Sequence, residues 1–285
     1  MGTSIQLLFL LFGLTCAREN EVDVNVATKI SERVKRDVEE YIHNGEDGQM
    51  ATAVALAYGD SKKPFCSGSI LNRNRVITAG HCVDQFDGDY GNLRVVAGTA
   101  DLRNYYNGNI GFEQVFEVES AAIHPYYEKK GTKKVEFDLA ILELKTDMNL
   151  NGKTIKAVTL PPHELRHEGR KIKVGGWGKL SAYGGQSPVH QVIDIEIHPN
   201  KRCKETYNNG EFDDQQMFCG GDEKQGACKG DSGAGAVNEF NGKSILFGVV
   251  SVGYKDGLQT SCMKETIFQR ISASLPWIYR ETKLK

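Results

Sequence analysis

From Ile42 onward the hydrophobic positions come in short runs. They are Ala51–Tyr58, Ser69–Thr78, Leu93–Ala97, Val115–Ile123, Leu139–Leu144, Ile172–Val174, Val192–Ile197 and Ser244–Val252. Gly, Asn and Asp turns separate them, as in Asp87-Gly88-Asp89, Asn107-Gly108-Asn109, Asn208-Asn209-Gly210 and Asn241-Gly242. Runs this short, bounded by turn residues, predict strands, and their spacing predicts an all-β sandwich or barrel. The pattern predicts one helix, from about Ser272, with Leu275, Trp277 and Ile278 apolar. Its Arg280, Lys283 and Lys285 fall late, where cations suit the helix dipole. Val158 to Arg170, with Pro161-Pro162 and mixed charge, reads as a linker between two β halves.

The stretch before Ile42 is built differently. Ile5 to Leu14 is apolar but too short to span a bilayer, and it ends in the small residues of Thr15-Cys16-Ala17. That is the layout of a signal peptide over residues 1–17, so a secreted, extracellular protein is expected. Arg18 to Tyr41 carries 5 basic and 7 acidic residues with no aromatic before Tyr41, so it cannot build a core. Arg33-Val34-Lys35-Arg36 suits a convertase cutting after Arg36, and residues 18–41 read as a propeptide. Residues 42–285 then form the folded domain.

The composition (285 residues, 40% hydrophobic, 25% charged) is globular and excludes a disordered, collagen-like or coiled-coil chain. A net charge of −2 supplies no long-range field for nucleic acid or an anionic membrane, and neither partner is expected. With Cys16 lost in the signal, six cysteines remain: Cys66, Cys82, Cys203, Cys219, Cys228 and Cys262. An even number in a secreted chain predicts three disulfides, although counting leaves 15 pairings open. None of the spacings reads as CxxC, so no metal or redox site is expected. No Asn-x-Ser/Thr sequon occurs.

Three segments carry chemistry. In Gly230-Asp231-Ser232-Gly233 the glycines allow a tight turn, and the N–H groups of Gly230 and Ser232 can meet a developing oxyanion. The Ser232 hydroxyl is a poor nucleophile unless a base takes its proton. Thr78-Ala79-Gly80-His81-Cys82 ends the run Ser69–Thr78 and places a histidine beside a cysteine, where it can serve as a general base. Asp138 directly precedes the apolar Leu139-Ala140-Ile141-Leu142, is drawn inward with it, and needs a donor partner such as an imidazole N–H.

Other motifs are weaker. His163-Glu164-Leu165-Arg166-His167 spells HExxH, but the prolines before it and Gly169 after it leave no room for the helix that a zinc site needs. Lys129-Lys130-Gly131-Thr132-Lys133-Lys134 reads as a solvated basic loop, with an exosite for an acidic partner as the alternative.

The order His81, Asp138, Ser232, separated by 57 and 94 residues, resembles the chymotrypsin (trypsin-like) family of serine peptidases. The likeness covers nearly all of 42–285. It extends to Ile42-His43-Asn44-Gly45, Cys66-Ser67-Gly68, Gly176-Trp177-Gly178, Phe218-Cys219-Gly220, Ser251-Val252-Gly253 and Leu275-Pro276-Trp277-Ile278. The resemblance implies two six-stranded antiparallel β-barrels with the triad in the cleft between them, and a C-terminal helix. It implies the pairs Cys66–Cys82, Cys203–Cys219 and Cys228–Cys262. It gives Ser232 the attack on the peptide carbonyl, His81 the proton transfers and Asp138 the hold on the imidazole, with Gly230 and Ser232 as oxyanion donors. Its partners are protein or peptide substrates, and protein protease inhibitors besides. No cofactor is implied and a monomer is expected. The family's calcium loop is acidic after the strand matching Leu93–Ala97, but here that stretch opens Gly98-Thr99-Ala100, so no bound calcium or other metal is expected.

Several positions depart from the family. Ala234 stands where the family has Gly, which matters if the backbone needs a positive φ there. Gly80 replaces Ala, a small change, and Val252 replaces a Trp that walls the cleft, which should weaken binding of extended substrates. In the family the freed amine of the residue matching Ile42 pairs with the one matching Asp231. Here Tyr41 precedes Ile42, so a tryptic cut cannot free it. Trimming of Asp37–Tyr41 after the dibasic cut, or a chymotryptic cut after Tyr41, is required. By the same resemblance Ser251, Val252 and Gly253 bind substrate, and Gly226 is the floor of the primary pocket. Gly226 and Ala227 offer no charge for Lys or Arg, and Thr266 shortens the opposite wall. Small or medium apolar residues before the cut are therefore expected. A second class of function, a catalytically weak homologue that binds a partner, is favoured by Ala234, Val252 and the odd activation site.

Overall fold

The computed structural model describes residues 46–108, 113–127, 136–162, 168–180, 184–207, 212–221, 225–253, 262 and 265–284. The signal, propeptide and Ile42 expectations lie outside these residues, as do the HExxH segment and the basic loop 129–134.

The first half forms a closed barrel of six strands. They are β2 (Ala53–Tyr58), β3 (Pro64–Asn72), β4 (Arg75–Thr78), β5 (Leu93–Ala97), β6 (Gln114–Ile123) and β7 (Ala140–Leu144). Their order is β2-β3-β4-β7-β6-β5, and β5 returns to β2 in antiparallel register from Val54↔Ala97 to Tyr58↔Leu93. Closure removes both sheet edges. Val54, Leu56, Ile70, Val76, Ile77, Leu93, Val95 and Leu142 fill the interior.

The second half is a sheet in the order β1-β9-β8-β11-β12-β13-β10. Here β1 is the two-residue Glu46–Asp47, followed in the chain by β8 (Lys171–Gly176), β9 (Gln191–Glu196), β10 (Met217–Gly220), β11 (Gly235–Phe240), β12 (Lys243–Gly253) and β13 (Thr266–Arg270). An antiparallel bridge Ile197↔Gly220 joins the end of β9 to β10, so the six longer strands curl back on themselves. Phe218, Phe247 and Phe268 are fully buried in this core. Each contributes about 2 kcal/mol of transfer free energy. The fold is the expected pair of six-stranded barrels.

The terminal helix Leu275–Thr282 follows a 3-10 turn, Ile271–Ser274. Its Leu275, Trp277 and Ile278 pack with the first barrel's core rather than the second's. The linker is less passive than its composition suggests. Val158 N–H donates to the Ile70 carbonyl and Leu246 N–H to Thr159, so Val158–Thr159 stitches one barrel to the other.

The run Ser69–Thr78 is corrected from one strand to two. It breaks at Arg73-Asn74, between β3 and β4, where the Asn72 side chain accepts the Asn74 N–H at 3.0 Å. An Asn that bonds its own backbone two residues on makes a turn inside an otherwise apolar run.

Three disulfides join Cys66 to Cys82, Cys203 to Cys219 and Cys228 to Cys262, the pairs that the resemblance implies. The first two each close a loop of 16 residues. On the chain-entropy account, each such loop stabilises by about 3 kcal/mol.

Candidate active site

Strand β4 ends at Thr78, and a short helix, Gly80–Asp84, starts immediately, carrying His81 on its first turn. The Cys66–Cys82 disulfide fixes this turn to β3. Asp138 enters just before β7, which pairs with β4 through Thr78↔Ala140. Asp138 therefore faces His81 from the neighbouring strand.

The geometry between them is tight. Asp138 Oδ2 lies 2.7 Å from His81 Nδ1, and Asp138 Oδ1 accepts the His81 backbone N–H at 2.8 Å. Ser251 of β12, in the other barrel, donates its hydroxyl to Asp138 Oδ2 at 2.6 Å. The Asp138 side chain is fully buried, whereas His81 keeps 35% of its side chain exposed. Burial opposes ionisation of Asp138, but the charge and hydrogen bond of the His81 ring, the Ser251 hydroxyl and the His81 N–H outweigh it. The carboxyl is held below its ordinary value. Burial also works against a charged His81, and the Asp138 charge and hydrogen bond overcome it, raising His81 above 6.5. With Nδ1 committed to Asp138, Nε2 is the ring atom left to exchange a proton.

Ser232 comes from the second barrel, in the turn between Cys228 and β11. Its carbonyl accepts the Ser67 N–H at 2.8 Å and lies 3.7 Å from Cys82 Sγ. Thr78 in turn donates its hydroxyl to the Ser67 carbonyl at 2.7 Å. The strand leading to His81 and the backbone of Ser232 thus meet through Ser67. Gly233, at φ +84°, fits only as glycine, because a Cβ there would collide with Thr78 Oγ1 and the Ser67 carbonyl. Among the described residues the Ser232 hydroxyl makes no hydrogen bond, and it is the Ser232 backbone that is fixed.

Lys179 N–H donates to the Lys229 carbonyl at 2.9 Å. In a planar trans peptide the N–H points opposite to the C=O, so the Gly230 N–H is turned away from Lys179. Neither the Gly230 nor the Ser232 N–H has an acceptor among the described residues, which leaves two donors for an incoming oxygen.

The Asp231 carboxyl faces Gly178 and Cys228. Its Oδ1 accepts the Gly178 N–H and its Oδ2 the Cys228 N–H, both at 2.9 Å. The motif Gly176-Trp177-Gly178 has its reason here, since a Cβ on Gly178 would lie 2.6 Å from the Asp231 carboxyl. Burial pushes the Asp231 carboxyl up to about 6 against these two bonds. No cation partners it among the described residues. A small cleft opens beside it, lined by Val174, Gln191, Ile193, Gly226 and Ala227 among others.

Gly226 and Ala227 line this cleft with Asp231, and the Thr266 hydroxyl oxygen accepts the Ala227 N–H at 3.1 Å. Gly253 pairs with Thr266 across β12 and β13. Ala234 is fully buried in the second core and its φ is not positive, so a glycine is not needed at that position. Sequence reasoning missed the Ser251 hydroxyl at Asp138 and the Thr78–Ser67–Ser232 link. Both join residues more than 100 positions apart in at least one step, and no local pattern marks them.

The Trypsin family model matches residues 42–278. Chymotrypsin-like elastase family member 1 of Homo sapiens is 30% identical over 228 residues, covering 79% of this chain and 84% of its own. Serine protease 28 of Mus musculus is 29% identical over 76% of this chain and 77% of its own. Trypsin-1 of Astacus astacus is 32% identical over 67% of this chain and 77% of its own. With two barrels, a buried carboxylate on a histidine and a serine turn between them, this chain belongs to the trypsin-like family of serine peptidases.

Proposed function

We propose that the protein is a secreted serine endopeptidase made as a zymogen, and that Ser232, His81 and Asp138 are its catalytic residues. The observation that carries this is the buried Asp138 carboxylate with three donors, one of them the ring of a half-exposed His81. The ring is held in the tautomer that leaves Nε2 free to take a proton. Ser232 Oγ attacks the peptide carbonyl and gives its proton to His81. The Gly230 and Ser232 N–H groups receive the oxyanion. His81 then protonates the leaving amine, and water releases the acyl group from Ser232 by the same steps. The Ser232–His81 bond forms as substrate closes the cleft, because such bonds are often long in the resting enzyme.

The free amine of Ile42 completes the site by pairing with Asp231, whose burial without a cation is costly. Gly226, Ala227, Gly253 and Thr266 form the primary pocket, with Ser251 and Val252 along the substrate backbone. No acid stands at Gly226 or Ala227, so Lys and Arg are rejected and Ala, Val or Leu preferred. The relatives include an elastase and a trypsin, so their names do not decide this. The three disulfides and the apolar segment Ile5–Leu14 support secretion, and a monomer acting on proteins and peptides, open to protein inhibitors, fits the family.

A peptide-library profile of protein with a verified Ile42 N-terminus tests the reading. Cleavage after small apolar residues is expected. Dominant cleavage after Lys or Arg overturns the pocket assignment, and no cleavage at all favours the alternative of a partner-binding homologue.

A further inference from the structure

Thr266, the first residue of β13, is fully buried. The residue before it is acidic, and only 6% of it is exposed. A carboxylate in that position persists only where donors compensate for its lost hydration. Glu265 Oε1 lies 2.6 Å from His198 Nδ1 and accepts the Arg202 Nε–H at 3.0 Å. The Glu265 carbonyl accepts the Tyr207 hydroxyl at 2.8 Å. Burial opposes ionisation of Glu265, but hydrogen bonds from His198 and Thr206 and the charges of His198 and Arg202 hold its carboxyl below the usual value.

These donors share one body. Arg202 and Thr206 lie on the helix Asn200–Thr206, with His198 just before it and Tyr207 just after. The Cys203–Cys219 disulfide ties the helix to β10, and the His198 N–H donates to the Cys219 carbonyl at 2.9 Å. β10 pairs with β13 through Gly220↔Thr266. The start of β13 is thus clamped from behind by a charged cluster. In front, Thr266 Oγ1 accepts the Ala227 N–H. An apolar residue at 265 would fill this space without desolvating an ion, so the charge is better suited to fixing a position than to adding stability.

We propose that Glu265 is a positioning residue for the primary specificity pocket. Held by His198, Arg202 and Tyr207, it sets where Thr266 Oγ1 stands, and through it Ala227 and the depth of the pocket. The inference rests on the reading that Gly226, Ala227 and Thr266 form that pocket for a small apolar side chain.

Two measurements on Glu265→Gln and Arg202→Ala test it. In the processed protein, KM for peptides with Ala or Val before the cut should rise about fivefold while kcat stays within about twofold, the size of one lost hydrogen bond. Cleavage after Phe should gain relative to Ala. Thr266→Val should give the same KM change, and the double variant with Glu265→Gln should add little to either. Amide hydrogen exchange needs no activity. Exchange at the Ala227 N–H should quicken about fivefold in Glu265→Gln, while Val96 in the first barrel keeps its rate. An unchanged Ala227 rate in folded Glu265→Gln protein overturns the inference, as does a lowered Tm with unchanged KM and cleavage profile. Failure of the unmodified, processed protein to cleave any peptide would instead defeat the peptidase reading, and the exchange result would still decide the clamp.

Discussion

Asp138 and Asp231 sit in opposite situations. Asp138 accepts three hydrogen bonds, two of them from His81, and is held below its ordinary value. Among the described residues Asp231 accepts two backbone N–H groups, and burial pushes it up to about 6. One carboxylate already has the group that justifies its charge, and the other lacks it among the described residues. The difference separates two tasks of the fold. The His81–Asp138 pair is assembled within the first barrel, where β4 pairs with β7. On the proposed reading, the Asp231 side of the serine turn takes its cation from the amine that a cut before Ile42 would free. The proposed zymogen would draw on this asymmetry, with the base ready and the serine turn waiting.

The largest expected effects fall on the proposed catalytic residues. Ser232→Ala should cut kcat by about six orders of magnitude, and His81→Ala by about as much, because such residues act as a unit. Asp138→Asn should lower kcat by about 10⁴. It should also move the acid limb of the pH profile. The base works only when neutral, so kcat/KM of the unmodified enzyme should rise with pH through an ionisation above 6.5, the direction in which Asp138 shifts His81. Without that charge, burial remains and the limb should fall below 6.5.

The incomplete side should respond according to its state of processing. In the processed enzyme Asp231→Asn should lower kcat/KM about 10²- to 10³-fold, the equivalent of removing one partner of a buried pair. In the unprocessed chain the same change should stabilise. A carboxyl raised in the folded state contributes stability that is present below its unfolded value of 3.8 and lost as pH rises through about 6. The Tm of the unprocessed chain should therefore fall across that window relative to Asp231→Asn, and the two should coincide below it. Equal pH dependence of the two proteins would show that Asp231 has its cation before cleavage.

The smallest effect concerns a departure from the family. Ala234→Gly should leave kcat/KM unchanged within about twofold and cost roughly 1 kcal/mol of stability, because Ala234 fills core space without a positive φ. A gain of activity would mean that the alanine distorts the serine turn.

Much of this was legible in the chain. Asp138 was marked by the apolar strand it precedes, and Ser232 by its flanking glycines. The strands showed in short apolar runs, and where one misled, at Ser69–Thr78, the cause was a polar turn of only two residues. The disulfide pairs came from the family likeness, since counting left them open. What stayed hidden lies in contacts between distant segments. The family likeness marks Ser251 for substrate binding but says nothing of its hydroxyl, which β12 brings 2.6 Å from Asp138 across 113 residues. Glu265 and His198 are 67 residues apart, and neither neighbourhood suggests the other. Ala234 looked like a defect because a glycine rule was applied before the backbone angle was known.

The most direct measurement is active-site labelling with a fluorophosphonate of protein whose N-terminus is verified as Ile42. The account predicts a single adduct, mapped by mass to the peptide containing Ser232, absent in Ser232→Ala and much slower in His81→Ala. Correctly processed, folded protein that takes up no label at Ser232 would contradict it.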